Sequence, residues 1–387
     1  MEYRKFGKLD WKVSALGFGV MRLPIIGSDP ANINEPEATR MVRYAIDNGV
    51  NYLDTGYMYH AGSSERFLGR ALKDGYRRKI KLTTKLPSMF VHATSDFDKI
   101  FNEQLERLQT DNVDFYLLHG IDNRSWPKLR DFGVLKWAER KIAGGQIKHL
   151  GFSFHDDYPM FKNIIDAYDD WSICQIQYNY IDSENQPGRR GLEYAAGKGL
   201  AVNIMEPLRG GQLSRKPSET VAKIWGDNIQ RRSLTEWALQ WLWNQPEVSM
   251  VLSGMSTMEQ VVENLASASR SKVGLLMGDE LSLLEHVRHA YQNLNAVPCT
   301  GCRYCQPCPN GVKIPEIFQI YNDAMVYGDL RHFQIPYNGG PGGLVQGQRA
   351  DSCKECETCM EICPQKIAIV EILGKAHKLL RTQDLPF

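Results

Sequence analysis

An alternation repeated eight times constrains this chain more than any other feature. Short β-prone apolar runs stand at Ala15–Val20, Val50–Leu53, Ile80–Thr84, Val113–Leu118, Ile147–Phe152, Ile173–Gln177, Ala201–Met205 and Val248–Leu252. Between and after them come stretches of helical periodicity at Pro36–Asp47, Ser64–Lys73, Asp96–Leu108, Val134–Ala143, Pro159–Ala167, Gly191–Lys198, Leu234–Asn244 and Met258–Ala268. Phe67, Leu68, Ala71 and Leu72 give the second helix one apolar face. Gly49, Gly145 and Gly199 stand just past helix ends, where a C-terminal cap wants φ > 0. Strands that alternate with helices pair in parallel, and eight such units close into a (β/α)8 TIM barrel. A doubly wound sheet is the competitor. It favours a glycine-rich dinucleotide turn after the first strand, and Gly17-Phe18-Gly19-Val20 does not continue to a third glycine. Residues 1–13, ahead of the repeat, read as a hairpin turning at Gly7-Lys8, a lid or plug.

The repeat ends well before the chain does, and composition changes there. Of nine cysteines, eight lie between Cys299 and Cys363. A disulfide framework would spread along a secreted chain instead of gathering in two tight runs. We therefore expect two domains, a barrel over 1–290 and a metal-binding domain with a C-terminal tail over 291–387. A formal net charge of +1 gives no field for nucleic acid or an anionic membrane. No segment is apolar long enough to span a bilayer, and the charged first twenty residues are not a signal peptide. A cytoplasmic protein is expected.

In a barrel of this kind, chemistry sits where strands end and the following loops begin. The second run ends in Asp54, the third in Lys85 and the fourth in His119, while the fifth carries Ser153 and His155 and the sixth Gln175, Gln177 and Asn179. Tyr59 follows Asp54 by five residues. A lone Tyr or His near a strand end is usually just packed, and a lone Asp–Lys pair is usually structural. Together at one mouth they suit proton transfer to a carbonyl oxygen. An ordinary Tyr, with a pKa of about 10, is too weak an acid at neutral pH, and an ammonium held beside it by a carboxylate would favour the phenolate. An imidazole could then donate a hydrogen bond to the same carbonyl oxygen.

The stretches GVNYLDTGYMYHAGSSERFLGRAL, KLTTKLP and DFYLLHG resemble the aldo-keto reductase family, and the likeness continues through QIQYN and GMSTMEQVVENLASA over roughly residues 1–290. The resemblance implies a catalytic tetrad of Asp54, Tyr59, Lys85 and His119. It also implies hydride transfer between a nicotinamide cofactor and an aldehyde, ketone or the corresponding alcohol, with Tyr59 as general acid/base and neither flavin nor metal in the barrel. Nicotinamide contacts are expected from Ser153 and Gln175. Further cofactor contacts are expected from Met205, Pro207 and Leu208 within NIMEPLRGG, from Gly254 and Ser256 after the eighth strand, and, near the adenine, from Glu263 and Asn264. Three departures matter. Phe154 replaces the Asn that often follows the serine; Met205 stands where an aromatic residue often stacks on the nicotinamide; and residues 254–260 lack the Lys and Arg that usually clasp a 2′-phosphate. The last favours NADH over NADPH, with Arg209, Arg215 or backbone amides as the substitutes that could reverse it.

The cysteine runs read C-x2-C-x2-C-x2-C-P over Cys299, Cys302, Cys305 and Cys308, and C-x2-C-x2-C-x3-C-P over Cys353, Cys356, Cys359 and Cys363. Zinc also takes paired C-x2-C. The pattern resembles a two-cluster bacterial ferredoxin module of α+β fold, although the first run is one residue short before its last cysteine. The resemblance implies one [4Fe-4S] cluster on Cys299, Cys302, Cys305 and Cys363 and another on Cys353, Cys356, Cys359 and Cys308. The glycine-rich Gly339–Gly343 reads as a connector, and Cys174, on a strand, as an inert core residue.

The leading expectation is thus an NAD(P)-dependent reductase barrel carrying iron–sulfur clusters and acting on a small carbonyl or alcohol. A nicotinamide passes two electrons as hydride whereas a [4Fe-4S] centre passes one. Two rivals follow: a ferredoxin-linked single-electron reductase that uses the barrel as a substrate cup, with a ferredoxin-like carrier as partner, and a nicotinamide-binding sensor or scaffold with little turnover.

Overall fold

The computed structural model describes residues 1–27, 29–294, 297–327, 330–339 and 343–381. Tyr3–Phe6 (β1) and Leu9–Ser14 (β2) form an antiparallel hairpin. The eight apolar runs become Leu16–Gly19 (β3), Tyr52–Asp54 (β4), Lys81–Pro87 (β5), Val113–Ile121 (β6), Ile147–Phe154 (β7), Ile173–Gln177 (β8), Ala201–Met205 (β9) and Met250–Gly254 (β10). They close, all parallel, in the order β10-β3-β4-β5-β6-β7-β8-β9. A helix follows each strand within three residues of the expected bounds, the largest difference being Gly188–Gly197 where Gly191–Lys198 was expected, and Val134–Ala143 and Met258–Ala268 coincide with them. Gly49, Gly145 and Gly199 take φ of 96°, 74° and 80°, so each supplies the left-handed cap conformation.

The hairpin is a plug at the N-terminal end of the barrel. Phe6 packs its ring 5.9 Å from Tyr52 and 5.3 Å from Phe115, both near the starts of their strands, with Trp11 5.2 Å away edge-on. Gly7 makes the approach possible: at φ +55° a Cβ there would lie 2.3 Å from the Ala201 backbone nitrogen. Closing this end leaves the C-terminal end for chemistry.

The chain divides into two compact units, Met1–Pro207 with Thr235–Met277, and Leu208–Leu234 with Gly278–Phe387. The first is the barrel. The second contains the excursion that follows β9 as well as the cysteine segment. It is built of helices and loops around a core that includes Val312, Ile317, Phe318, Ile369 and Leu373. Where an α+β module was expected, it holds no strand among the described residues. The cysteine loops curl instead of extending, with Arg303, Glu355, Glu357 and Lys366 at φ between 51° and 66°. Within the glycine-rich connector, residues 340–342 lie outside the described residues, as does the tail 382–387.

Candidate functional site

At the C-terminal end of the barrel, β4 and β5 deliver Asp54 and Lys85 as a buried ion pair. The Lys85 ammonium donates to Asp54 Oδ1, to the Thr55 carbonyl at 2.7 Å and to the Tyr59 hydroxyl at 3.1 Å. Those three contacts account for the three N–H bonds of an ammonium. Burial pushes the Asp54 carboxyl up and the Lys85 ammonium down, and each opposes that push on the other by its charge. His119, near the end of β6, sets its ring 5.8 Å from that of Tyr59, edge to face. Burial pushes its imidazole well below the ordinary value, with Lys85 and His155 adding to the effect. His119 is therefore neutral at physiological pH. The four side chains expected at the mouth come together around the Tyr59 hydroxyl.

A buried network underneath fixes the Lys85 backbone, and single-residue motifs in the sequence did not disclose it. Glu65, fully buried, accepts from Thr84 Oγ1 at 2.6 Å and Gln104 Nε2 at 2.7 Å, and pairs with Arg107 at 3.2 Å. Gln104 Nε2 also reaches the Lys85 carbonyl at 3.0 Å, while Tyr116 donates to Gln104 Oε1 at 2.7 Å. The apolar face of helix Ser95–Leu108 includes Gln104 and thereby conceals it in a periodicity count.

Among residues expected to meet a nicotinamide cofactor, Gln175 and Met205 are brought together, with Gln175 Nε2 3.8 Å from Met205 Sδ. Gln175 Oε1 is buried with no hydrogen-bond partner among the described groups. A carboxamide N–H would satisfy it, so the residues fit the group. Ser153 Oγ accepts from the Gly120 amide at 2.7 Å, and Phe154 turns into the outer core against Phe161, 5.0 Å between rings. The side chain that replaces Asn here therefore does not reach the mouth. Pro207 is buried just past β9, whereas Leu208 opens the second unit. After β10, the Ser256 amide donates to Gln260 Oε1 at 2.7 Å, and its hydroxyl donates to the Arg22 carbonyl at 2.7 Å. Asn264 donates to Ser253 Oγ at 3.1 Å and keeps a buried Oδ1 without a partner, while its neighbour Glu263 is half-buried. The Arg22 side chain lies against Gly254, where a Cβ would stand 3.2 Å from Arg22 Cβ. This cation comes from the loop after β3, so a scan of residues 254–260 had no way to find it. Arg215 pairs with Asp323 at 3.4 Å inside the second unit.

In that second unit cysteines of both runs share one pocket: Cys305 and Cys308 line it together with Cys353, Cys356 and Cys359, over Val312, Ile314 and Leu373. Burial pushes the Cys359 thiol up to about 11, with Cys353, Cys308 and Cys356 adding their charges. Cys305 is pushed up to about 12, first by burial and then by Cys299, Cys363 and Cys359. Thiolates gathered so closely repel one another unless a cationic centre holds them. Among the described residues no three Cys, His, Asp or Glu side chains converge as a single metal ion requires. Donors set around a pocket suit the separate corners of a cluster.

The site thus consists of a closed parallel barrel in which Lys85 bridges Asp54 and Tyr59 beside His119. The aldo/keto reductase family model matches residues 15–273, two thirds of the chain, and a 4Fe-4S dicluster domain matches residues 298–368. The chain belongs to the aldo/keto reductase family and carries a C-terminal iron–sulfur domain. L-galactose dehydrogenase of Arabidopsis thaliana is 27% identical over 76% of this chain and 96% of its own length. The holo form of an aldo-keto reductase of Bacillus halodurans superposes with a TM-score of 0.60 at 27% identity, over 74% of this chain and 96% of its own. An aldo-keto reductase of Klebsiella pneumoniae crystallised with NADPH, 22% identical, shares the fold at a TM-score of 0.61 over 74% of this chain and 95% of its own. No helix among the described residues is long and apolar enough to cross a membrane.

Proposed function

We propose that this chain interconverts a small aldehyde or ketone and its alcohol, with Tyr59 as the proton donor or acceptor at the carbonyl oxygen. The observation that carries the reading is the Lys85 ammonium, which touches both Asp54 and the Tyr59 hydroxyl in a buried site. When Tyr59 gives up its proton, negative charge builds on an oxygen already facing an ammonium. Asp54 keeps that ammonium charged and aimed. His119, being neutral, donates a hydrogen bond that orients the carbonyl without carrying charge into the site. A bound nicotinamide supplies the hydride, and Gln175, Ser153 and Met205 are the side chains that would hold its carboxamide end. Pro207, Leu208, Gly254, Ser256, Glu263 and Asn264 would serve the remainder. NADH is the expected coenzyme, because residues 254–260 carry no cation of their own. The test is hydride transfer followed at 340 nm over a carbonyl panel: Tyr59→Phe should cut turnover by roughly 10²–10⁴ while leaving coenzyme affinity nearly intact, and full activity in that variant sinks the assignment.

The cysteines would hold two [4Fe-4S] clusters, on Cys299, Cys302, Cys305 and Cys363 and on Cys308, Cys353, Cys356 and Cys359, and such clusters exchange single electrons. Cys356 is exposed, which favours a second reading in which an external ferredoxin-like carrier trades electrons at that cluster. Anaerobic electron paramagnetic resonance on iron-replete protein decides between them. A cluster signal raised by NADH or NADPH joins the two domains electrically, and a signal with dithionite alone separates their roles.

A further inference from the structure

Directly after Tyr59 the backbone does something side chains resist. His60 (φ 53°, ψ 45°) and Ala61 (φ 51°, ψ 34°) both adopt the left-handed conformation, followed by Gly62 at φ 90°. Glycine does this freely, but two consecutive residues bearing a Cβ do so only where the surroundings enforce it. His60 is also buried. Its imidazole is engaged at both nitrogens by two points of the segment after β3: the Leu23 amide lies 3.1 Å from Nε2, and the Pro30 carbonyl 2.8 Å from Nδ1.

Those two partners determine the tautomer. The Pro30 carbonyl can only accept, so Nδ1 carries the proton. The Leu23 amide can only donate, so Nε2 is bare. The ring must be neutral to make both bonds, and burial, aided by the Arg22 charge, outweighs the upward pull of the Pro30 hydrogen bond and keeps it so. No other neutral side chain of this size offers a donor and an acceptor on opposite sides of a rigid ring.

We infer that His60 is a positioning residue for Tyr59: its neutral Nδ1–H imidazole, clamped between the Leu23 amide and the Pro30 carbonyl, holds the left-handed turn that keeps the Tyr59 hydroxyl on Lys85. Tyr59 has a second local tie, its amide to the Gly56 carbonyl at 3.1 Å. That bond fixes the approach to Tyr59, and His60 fixes the exit. With the clamp gone, residues 60–61 relax towards ordinary φ and the phenol swings off the ammonium. Substrate and coenzyme contacts on other strands are untouched. The expected signature is therefore a fall in kcat with little change in coenzyme affinity.

The inference rests on the proposed carbonyl chemistry, and the experiment keeps the two separable. In the full-length, cluster-loaded protein, His60→Leu should lower kcat by roughly tenfold or more, with the Kd for NADH within about twofold of wild type. His60→Gln, which can still donate and accept, should recover much of that loss. Wild-type kcat in His60→Leu overturns the inference, as does a loss that follows coenzyme affinity or melting temperature instead of kcat, or a His60→Gln variant no better than the leucine. Nitrogen-15 NMR of the histidine rings reads the clamp without turnover: a neutral ring protonated at Nδ1 is expected, and Nε2–H or an imidazolium at about pH 7 overturns it. If wild type reduces no carbonyl, or Tyr59→Phe is as active as wild type, the functional reading fails while the NMR result still judges the clamp.

Discussion

The barrel mouth and the cysteine unit solve opposite problems with polar groups. At the mouth, charge is buried and answered by protein: Lys85 spends its N–H bonds on Asp54, Thr55 and Tyr59, and Glu65 is ringed by Thr84, Gln104 and Arg107. Apart from Thr55 in the loop after β4 and Tyr59 on the turn beyond it, these partners sit on strands or helices of the barrel, so the arrangement exists before any ligand arrives. In the cysteine unit the polar groups are thiols on curled loops, most half-exposed, with Cys356 fully so. The Glu355 amide donates to Cys353 Sγ at 3.4 Å, and the Gln306 side chain hydrogen-bonds Cys305. They also lie close to one another, and burial makes the Cys305 and Cys359 thiolates harder to form. The first region is preorganised by folding, while the second is expected to depend on its metal for the order of its cysteine loops.

That contrast breaks most sharply if iron is removed. Stripping the clusters anaerobically should leave barrel circular dichroism and coenzyme binding largely intact while the C-terminal helices lose protection from hydrogen exchange. Because Cys363 is the buried member of its run, Cys363→Ser should act like removal of one whole cluster. Loss of the barrel on stripping would mean the regions are not independent in the way their chemistry implies.

Next in size is the chemical step. A general acid is worth roughly 10²–10⁴ in rate, so Tyr59→Phe should cut kcat by about that factor in single-turnover measurements with either coenzyme. Lys85→Met should match it in rate and add a folding defect, because the Asp54 carboxylate is left buried without its cation. A Lys85→Met protein as stable as wild type would show that Asp54 takes up a proton or reaches water once its cation is gone.

The network below the mouth separates support from chemistry. Arg107→Met removes the cation facing Glu65 and should destabilise the barrel by about 3 kcal/mol in denaturant titration. Its effect on kcat should be smaller than that of Tyr59→Phe, since Gln104 still holds the Lys85 carbonyl. This is also where sequence reading reached its limit. Strand ends declare themselves: Asp54, Lys85 and His119 each close an apolar run, and an ionisable residue in such a place stands out. Glu65, Gln104 and Arg107 lie on helices, where polar residues are ordinary, and only the packing of Ser63–Ala71 against Ser95–Leu108 turns them inward. The excursion 208–234 was hidden for another reason. Its boundary is a matter of which core a segment joins, and local periodicity carries no such information.

Acid should weaken the barrel. His60 and His119 are both held below the ordinary histidine value by burial. Between about pH 6.5 and their lowered values the unfolded chain binds protons that the native state does not, so stability falls as pH falls through that window. The slope is roughly 1.4 kcal/mol per pH unit for each histidine. Urea midpoints for the barrel transition measured from pH 7.5 to 5.5 check the sign, and a midpoint that rises on acidification contradicts it. His149 on β7 is also held low by burial and adds to the slope, so replacing His60 by Gln should remove about a third of it.

The smallest effect concerns the coenzyme's far end, and it sharpens the contrast between what folding supplies and what a ligand brings. The loop after β10 presents amides and hydroxyls but no cation, while Arg22 approaches Gly254 from the loop after β3. A 2′-phosphate is a dianion and gains from a guanidinium far more than a ribose hydroxyl does. Arg22→Ala should therefore lower kcat/KM for NADPH by several-fold, within about 1.4 kcal/mol, and leave that for NADH nearly unchanged, deepening the expected NADH preference. Equal losses with both coenzymes would place Arg22 on the part they share, the pyrophosphate, and the discrimination between them would then lie with backbone amides.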